Sequence, residues 1–179
     1  MSAGPEISLE IAVEAGEWGD VTALEALALA ALDAAAADLA QREGQPFPGH
    51  PPEVSLVLAD DAMMAGINAE WRNQPKPTNV LSFPAFPLVP GGMPGPMFGD
   101  IILARETIER EAAELGKPVD AHITHLIVHG FLHLFGYDHI ENNDAEKMEA
   151  IETRILASLG LSDPYGDTEP VLHRRDDDR

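Results

Sequence analysis

His129, His133 and His139 stand in the run His129-Gly-Phe-Leu-His133-Leu-Phe-Gly136-Tyr137-Asp138-His139, a spacing that can close three imidazoles on one metal ion. Two histidines four residues apart on a helix share one face, about 6 Å apart along the axis. Gly136 offers the left-handed backbone that commonly ends a helix, so the chain can turn back and deliver His139 from a loop. Three protein ligands with an open fourth position mark catalytic zinc sites, whereas structural sites usually have four and are rich in cysteine. This chain has no cysteine. Imidazole suits zinc, with nickel, copper or iron as alternatives.

His122 and His125 extend the same row toward the helix start. A ligand set of His125, His129 and His133 would need no loop residue. The outer pair of that set converges badly, because their Cα atoms lie about 12 Å apart on a straight helix while metal to nitrogen distances are about 2.1 Å. His125 is therefore read as a residue that orients or packs, and His122 as the same or exposed. Asp138 can be an alternative ligand, an acceptor for a ligand imidazole, or a surface residue. The glutamate of the HExxH metalloprotease pattern is missing, since Gly130 takes its place. Peptide hydrolysis is then short of a proton acceptor. A metal ion lowers the pKa of bound water toward ~7 and acts as a Lewis acid. A substrate that brings its own anionic oxygens, such as a phosphodiester, suits this site better than a peptide. Arg72, at the C-terminal end of a predicted helix, has the planar fork that best holds phosphate. The plainer reading is an arginine solvated or bonded to helix carbonyls.

Elements to position these residues are legible. Glu6 to Val13 alternates Ile7, Leu9, Ile11 and Val13 in strand period, and Asp20 caps an Ala-rich helix with Leu24, Leu27, Ala31, Leu32, Ala35 and Leu39 on one stripe. Glu53 to Ala59 is a second strand, and Asp60 caps a helix carrying Met64, Ile67 and Trp71. Asn79 to Phe83 and Asp100 to Leu103 make two more strands around a Pro/Gly-rich segment from Pro84 to Phe98, expected to be irregular and to overhang the site as a flap. Arg105 to Leu115 should be helical to Gly116, Asp120 should cap the histidine helix, and Asn143 with Glu146 should cap a last helix carrying Met148, Ile151, Ile155 and Leu159 before Gly160. Strands come early and helices late, so the expected fold is α+β, a single domain with a small mixed four-stranded sheet and about five helices.

The chain has 179 residues, 45% of them hydrophobic, enough for one well-cored domain. The expected division is a domain over residues 1–161 and a disordered acidic tail over 162–179, ending in Asp176-Asp177-Asp178. The formal net charge is -20, with no dense basic run among 11 Lys and Arg residues. Tight, indiscriminate nucleic-acid binding is disfavoured, and binding to isolated RNA should be weak and salt-sensitive. No leader pattern and no apolar run of ~18 to 20 residues is present, which predicts a soluble cytoplasmic protein with no membrane partner.

The histidine run, together with Asn68-Ala-Glu-Trp71-Arg72 leading into Pro77-Thr78-Asn79-Val80-Leu81-Ser82-Phe83-Pro84, and Gly99-Asp100-Ile101, resembles the YbeY family of bacterial rRNA maturation factors over roughly Glu53 to Leu159. The resemblance implies a metal-dependent endoribonuclease specific for single strands, with one zinc ion on His129, His133 and His139 and a catalytic or RNA-contacting role for Arg72. It also implies work at the 3′ end of 16S rRNA and in ribosome quality control. The implied partners are single-stranded regions of ribosomal RNA and, besides these, ribosomal proteins or other assembly factors. Two departures stand out. Gln74-Pro75 replaces a Lys-Asp pair that many members carry, with Lys76 near enough to compensate, and Asn79 stands where Asp is common. Two other classes fit less well: a non-catalytic ribosome-assembly factor with a structural metal, whose acidity suits a basic protein, and a zinc-dependent hydrolase of peptides or small molecules, which Gly130 disfavours.

Overall fold

The computed structural model describes residues 4–138 and 140–165. His139 and the expected tail from residue 166 onward lie outside the described residues. The elements run β1 (Ser8–Val13), α1 (Val21–Arg42), β2 (Glu53–Ala59), α2 (Asp61–Arg72), β3 (Val80–Pro84), β4 (Met97–Ala104), α3 (Arg105–Leu115), α4 (Val119–Leu134) and α5 (Asn142–Ser158). The sheet order is β1-β2-β4-β3, with β1, β2 and β4 parallel and β3 antiparallel to β4. Among the described residues this is the single α+β domain with a mixed four-stranded sheet and five helices that the sequence predicts.

Alternation along the strands decides which helix covers which face. Val54, Leu56 and Leu58 of β2, with Ile101 and Leu103 of β4, point into a core shared with α1 and α4. Leu81, Ile102 and Ala104 point the other way, onto Met64 of α2. Helix α1 presents Ala28, Ala31, Ala35 and Ala36, all fully buried, and these small side chains let its backbone come close to α4. Below the C-terminal half of α4, Phe98, Phe131 and Phe135 meet edge-on, with ring centroids 4.6 to 5.7 Å apart. Such pairs contribute about 0.5–1.5 kcal/mol each beyond burial and set α4 firmly on the sheet.

Asp20 and Asp60 cap α1 and α2 as expected, each accepting a backbone N–H three residues on. Two other caps differ. Helix α4 starts at Val119 behind Pro118, whose extended backbone turns the chain into the helix without a side-chain cap, and Asp120 lies in the first turn instead. Helix α5 starts at Asn142 after Glu141, again with no side-chain cap bond, because the backbone carbonyl of Glu141 takes the N–H of Ala145 directly. Strand β4 also begins at Met97, earlier than expected, since Phe98 is drawn into the aromatic cluster. Only residues 85–96 lack regular structure between β3 and β4, and they are anchored at three points. Ala85 bonds to Phe98, the buried Gln45 side chain takes Gly91 N–H at 3.0 Å and gives to Gly92 O at 2.8 Å, and Leu88 packs against Gly136. The segment is a loop docked at these points.

Candidate metal centre

The helical period of α4 sets His129 and His133 one turn apart, and their Nε2 atoms lie 3.2 Å from each other. Two nitrogens bound at about 2.0 Å to one tetrahedral zinc are about 3.3 Å apart, so this separation is the one a shared ion needs. Rotation of the His129 ring is held by α5. Glu152 Oε2 accepts from His129 Nδ1 at 2.5 Å, while Oε1 accepts from His125 Nε2 at 3.2 Å and from the Tyr165 hydroxyl. An ionised carboxylate only accepts, so Nδ1 of His129 carries the proton and Nε2 turns a lone pair toward His133. A carboxylate behind a histidine in this way fixes the tautomer and raises ligand basicity.

Glu152 has no exposed surface. Burial alone would raise its pKa, but the charge of His129 and the hydrogen bonds from His125 and His129 outweigh it and hold the carboxyl well below the ordinary range. His125 moves down from its ordinary value, chiefly through burial, against the pull of Glu152. His125, His129 and Glu152 present ligand atoms within 4.8 Å of one another and form a group that could hold an ion. As placed, however, the 2.5 Å contact between His129 and Glu152 is a hydrogen bond, too short for two ligands of one metal. The facing nitrogens of His129 and His133 have the better spacing. This observed geometry fits a metal centre with Glu152 and His125 behind it.

The turn after α4 is shaped for a return of the chain. Gly136 has φ +100°, and a Cβ there would come within 2.2 Å of the Leu88 carbonyl oxygen, so only glycine fits. Asp138 Oδ1 accepts Ile140 N–H at 2.7 Å, a side-chain turn onto the backbone. Of the three roles open to Asp138, the observed one is this turn.

Gly130 has a packing reason. A Cβ on it would meet Ser82 Oγ at 2.9 Å and Ile101 Cγ2 at 3.1 Å, and Ser82 donates to its carbonyl at 3.1 Å. The position one residue beyond His129 faces the sheet, so a glutamate base there would force α4 off β3 and β4. His122 is buried, not exposed, and its Nε2 donates to Glu111 at 2.8 Å. The same carboxylate oxygen accepts from Asn79 Nδ2 at 2.9 Å. An amide suits position 79 here, where an aspartate would face Glu111 with like charge.

Arg72 ends α2 on the opposite face of the sheet from α4, exposed, with no hydrogen bond or ion pair among the described residues. Nearby, the buried Asn68 donates to the Lys76 carbonyl at 2.9 Å and shapes the turn after the helix. Glu152 and Tyr165 were missed from sequence. The available signal for Glu152 was a carboxylate four residues after Met148 and four before Leu156, inside an apolar stripe.

No helix among the described residues is long and apolar enough to cross a membrane. Residues 13–160 match the family model described as Endoribonuclease YbeY. The chain is 64% identical to the protein named Endoribonuclease YbeY of Sinorhizobium fredii, over 90% of its own length and 93% of that protein. It is 62% identical to the one of Rhizobium meliloti, over 92% and 98%. Among solved structures, the solution structure of TM1509 from Thermotoga maritima has a similar fold, with TM-score 0.50 and 22% identity over 91% of this chain and 99% of that one. With the family model spanning most of its length and relatives this similar, the chain belongs to the YbeY family.

Proposed function

We propose that the chain is a metal-dependent endoribonuclease that cuts single-stranded regions of ribosomal RNA in the cytoplasm, acting in 16S rRNA 3′-end maturation and ribosome quality control. One zinc ion would be held by His129, His133 and His139, with Arg72 as the catalytic residue on the phosphate. The observation that carries this reading is the pair of facing nitrogens 3.2 Å apart with a buried carboxylate fixing one ring. The names of the relatives support the RNA substrate. When bound, the ion supplies Lewis acidity toward a phosphate oxygen and lowers the pKa of water. Glu152 keeps the proton on His129 Nδ1. Being buried and already bonded to three partners, it is no base for incoming water, so the phosphate's own oxygens are left to take that proton. Arg72 offers two parallel N–H donors to charge developing on the phosphate.

The test is cleavage of a structured ribosomal RNA with single-stranded ends by wild type, His133→Ala and Arg72→Ala, purified identically. Cutting by wild type alone supports the reading. Equal cutting by all three points to a contaminant, and no cutting by zinc-loaded wild type leaves the non-catalytic assembly factor, a reading favoured by the net charge of -20.

A further inference from the structure

The two tryptophans of this chain are treated in opposite ways. Trp18 is 4% exposed, donates from Nε1 to Ala15 O at 3.0 Å, and lies under the Arg105 guanidinium at 5.3 Å. Trp71 is 66% exposed, makes no hydrogen bond among the described residues, and is braced from one side by the Phe83 ring at 5.8 Å between centroids. Packing accounts for the first and leaves the second unexplained.

We propose that Trp71 is a base-stacking residue, taking a nucleobase of the RNA strand whose phosphate Arg72 contacts; this rests on the endoribonuclease reading above. Charge supports it. Four of the eight Lys and Arg residues described are paired: Arg105 with Glu109, Arg110 with Asp61, Lys147 with Glu43, and Arg154 with Asp38 and Glu43. Arg72 and Lys76, on either side of the α2 C-terminus, are exposed and have no acidic partner among the described residues. Unpaired cations beside an open aromatic face are the combination that single-strand binding uses. Asp100 is paired across the ladder with Phe83 and is exposed on the same face. Its carboxylate repels phosphate from the ring and accepts from base amino groups, so the ring takes a base rather than backbone.

Continuity supports it too. Phe83 follows Ser82, which bonds the carbonyl of Gly130 next to His129. β3 is an edge strand, so its unpaired rim joins the face that carries the histidines to the face that carries Trp71. In a protein of net charge -20, phosphate contacts alone give weak, salt-sensitive binding, and stacking adds affinity that salt does not screen.

The test uses the zinc-loaded full chain and a single-stranded oligoadenylate of about 12 nucleotides, within the site sizes of single-strand binders. Stopped-flow tryptophan quenching is read before turnover, and Trp71→Phe assigns the signal, since it leaves only the buried Trp18. Quenching by the oligonucleotide that is absent with an abasic strand of equal length is expected. Trp71→Ala should bind about tenfold more weakly by anisotropy, with the loss in KM rather than kcat, while Trp71→Phe keeps most of the affinity. Wild-type affinity in Trp71→Ala, or no quenching when anisotropy reports binding, overturns the inference and leaves the nuclease reading intact. Quenching and the affinity loss without any cleavage by wild type overturn the nuclease reading and leave the stacking role standing.

Discussion

Helices α4 and α2 cover opposite faces of the same small sheet, and each ends beside β3, yet the fold holds their polar side chains in contrary ways. His129 is fixed by Glu152, which is itself fixed by His125 and Tyr165, and the backbone beneath is pressed onto Ser82 and Ile101. Arg72, Lys76 and Trp71 reach solvent with almost nothing to restrain them. Groups that must converge on a point charge within tenths of an ångström need a scaffold, because small misplacements waste binding energy. Groups that meet a long, variable polymer gain from freedom and lose little by disorder in its absence. Order in the unbound chain thus separates the groups proposed to hold metal from those proposed to meet substrate.

The largest effect that could break this contrast is His133→Ala. Metal content should fall from about one ion per chain to near zero, and cleavage by about a thousandfold or more, measured by elemental analysis and gel assay on the same sample. Retained metal would show that the His125, His129 and Glu152 group is the true site. Arg72→Ala should come next, lowering kcat about 10²- to 10³-fold with metal content and thermal midpoint unmoved, and Arg72→Lys should restore little of it. A fall in metal content with Arg72→Ala would erase the distinction between the two faces.

Glu152→Gln sharpens the contrast from the scaffold side. An amide can still accept at one atom but no longer holds the tautomer by charge, so zinc affinity should drop about 10- to 100-fold in a competitive chelator titration. The smallest effect concerns what holds α5 in place. Arg154 clamps Asp38 at 2.5 Å and Glu43 at 3.0 Å, tying α5 to α1, and Lys147 adds to the pull on Glu43. Burial pushes the Glu43 carboxyl up, but Lys147 and Arg154 outweigh it and keep it below its ordinary value. A depressed carboxyl stabilises the fold above its unfolded pKa and loses that contribution as pH falls through the folded one. Urea midpoints should therefore decline on the acid side, by less in Arg154→Met than in wild type, with a difference of about 1 kcal/mol or less because the pair is partly solvated.

Much of the histidine face was legible because helical period is a local property. The spacing of His129 and His133 and the glycine stop need no knowledge of neighbours, and neither do the caps of α1 and α2. What was not legible depends on contacts distant in sequence. Glu152 reads as one more acidic residue until α5 is docked and it is found without exposed surface. Gly136 reads as a helix stop, but the Leu88 backbone that forbids any other residue lies 48 positions earlier. Asp120 and Asn143 looked like caps on composition, and lost to Pro118 and Glu141 because backbone alone could turn the chain there. Residues 84–98 looked like one irregular stretch, yet pairing with β2 and the pull on Phe98 extended β4 into it.

Glu152 follows His129 by 23 residues, on a different helix, and that order has a consequence in time. A chain is made from its N-terminus, so α4 is synthesised before α5 exists. During that interval nothing determines which nitrogen of His129 carries the proton, and the two facing nitrogens are not yet set. The proton on His129 Nδ1 gains its acceptor only when α5 docks. For a protein proposed to cut ribosomal RNA, and necessarily born on a ribosome, this amounts to a delay built into the order of its own sequence.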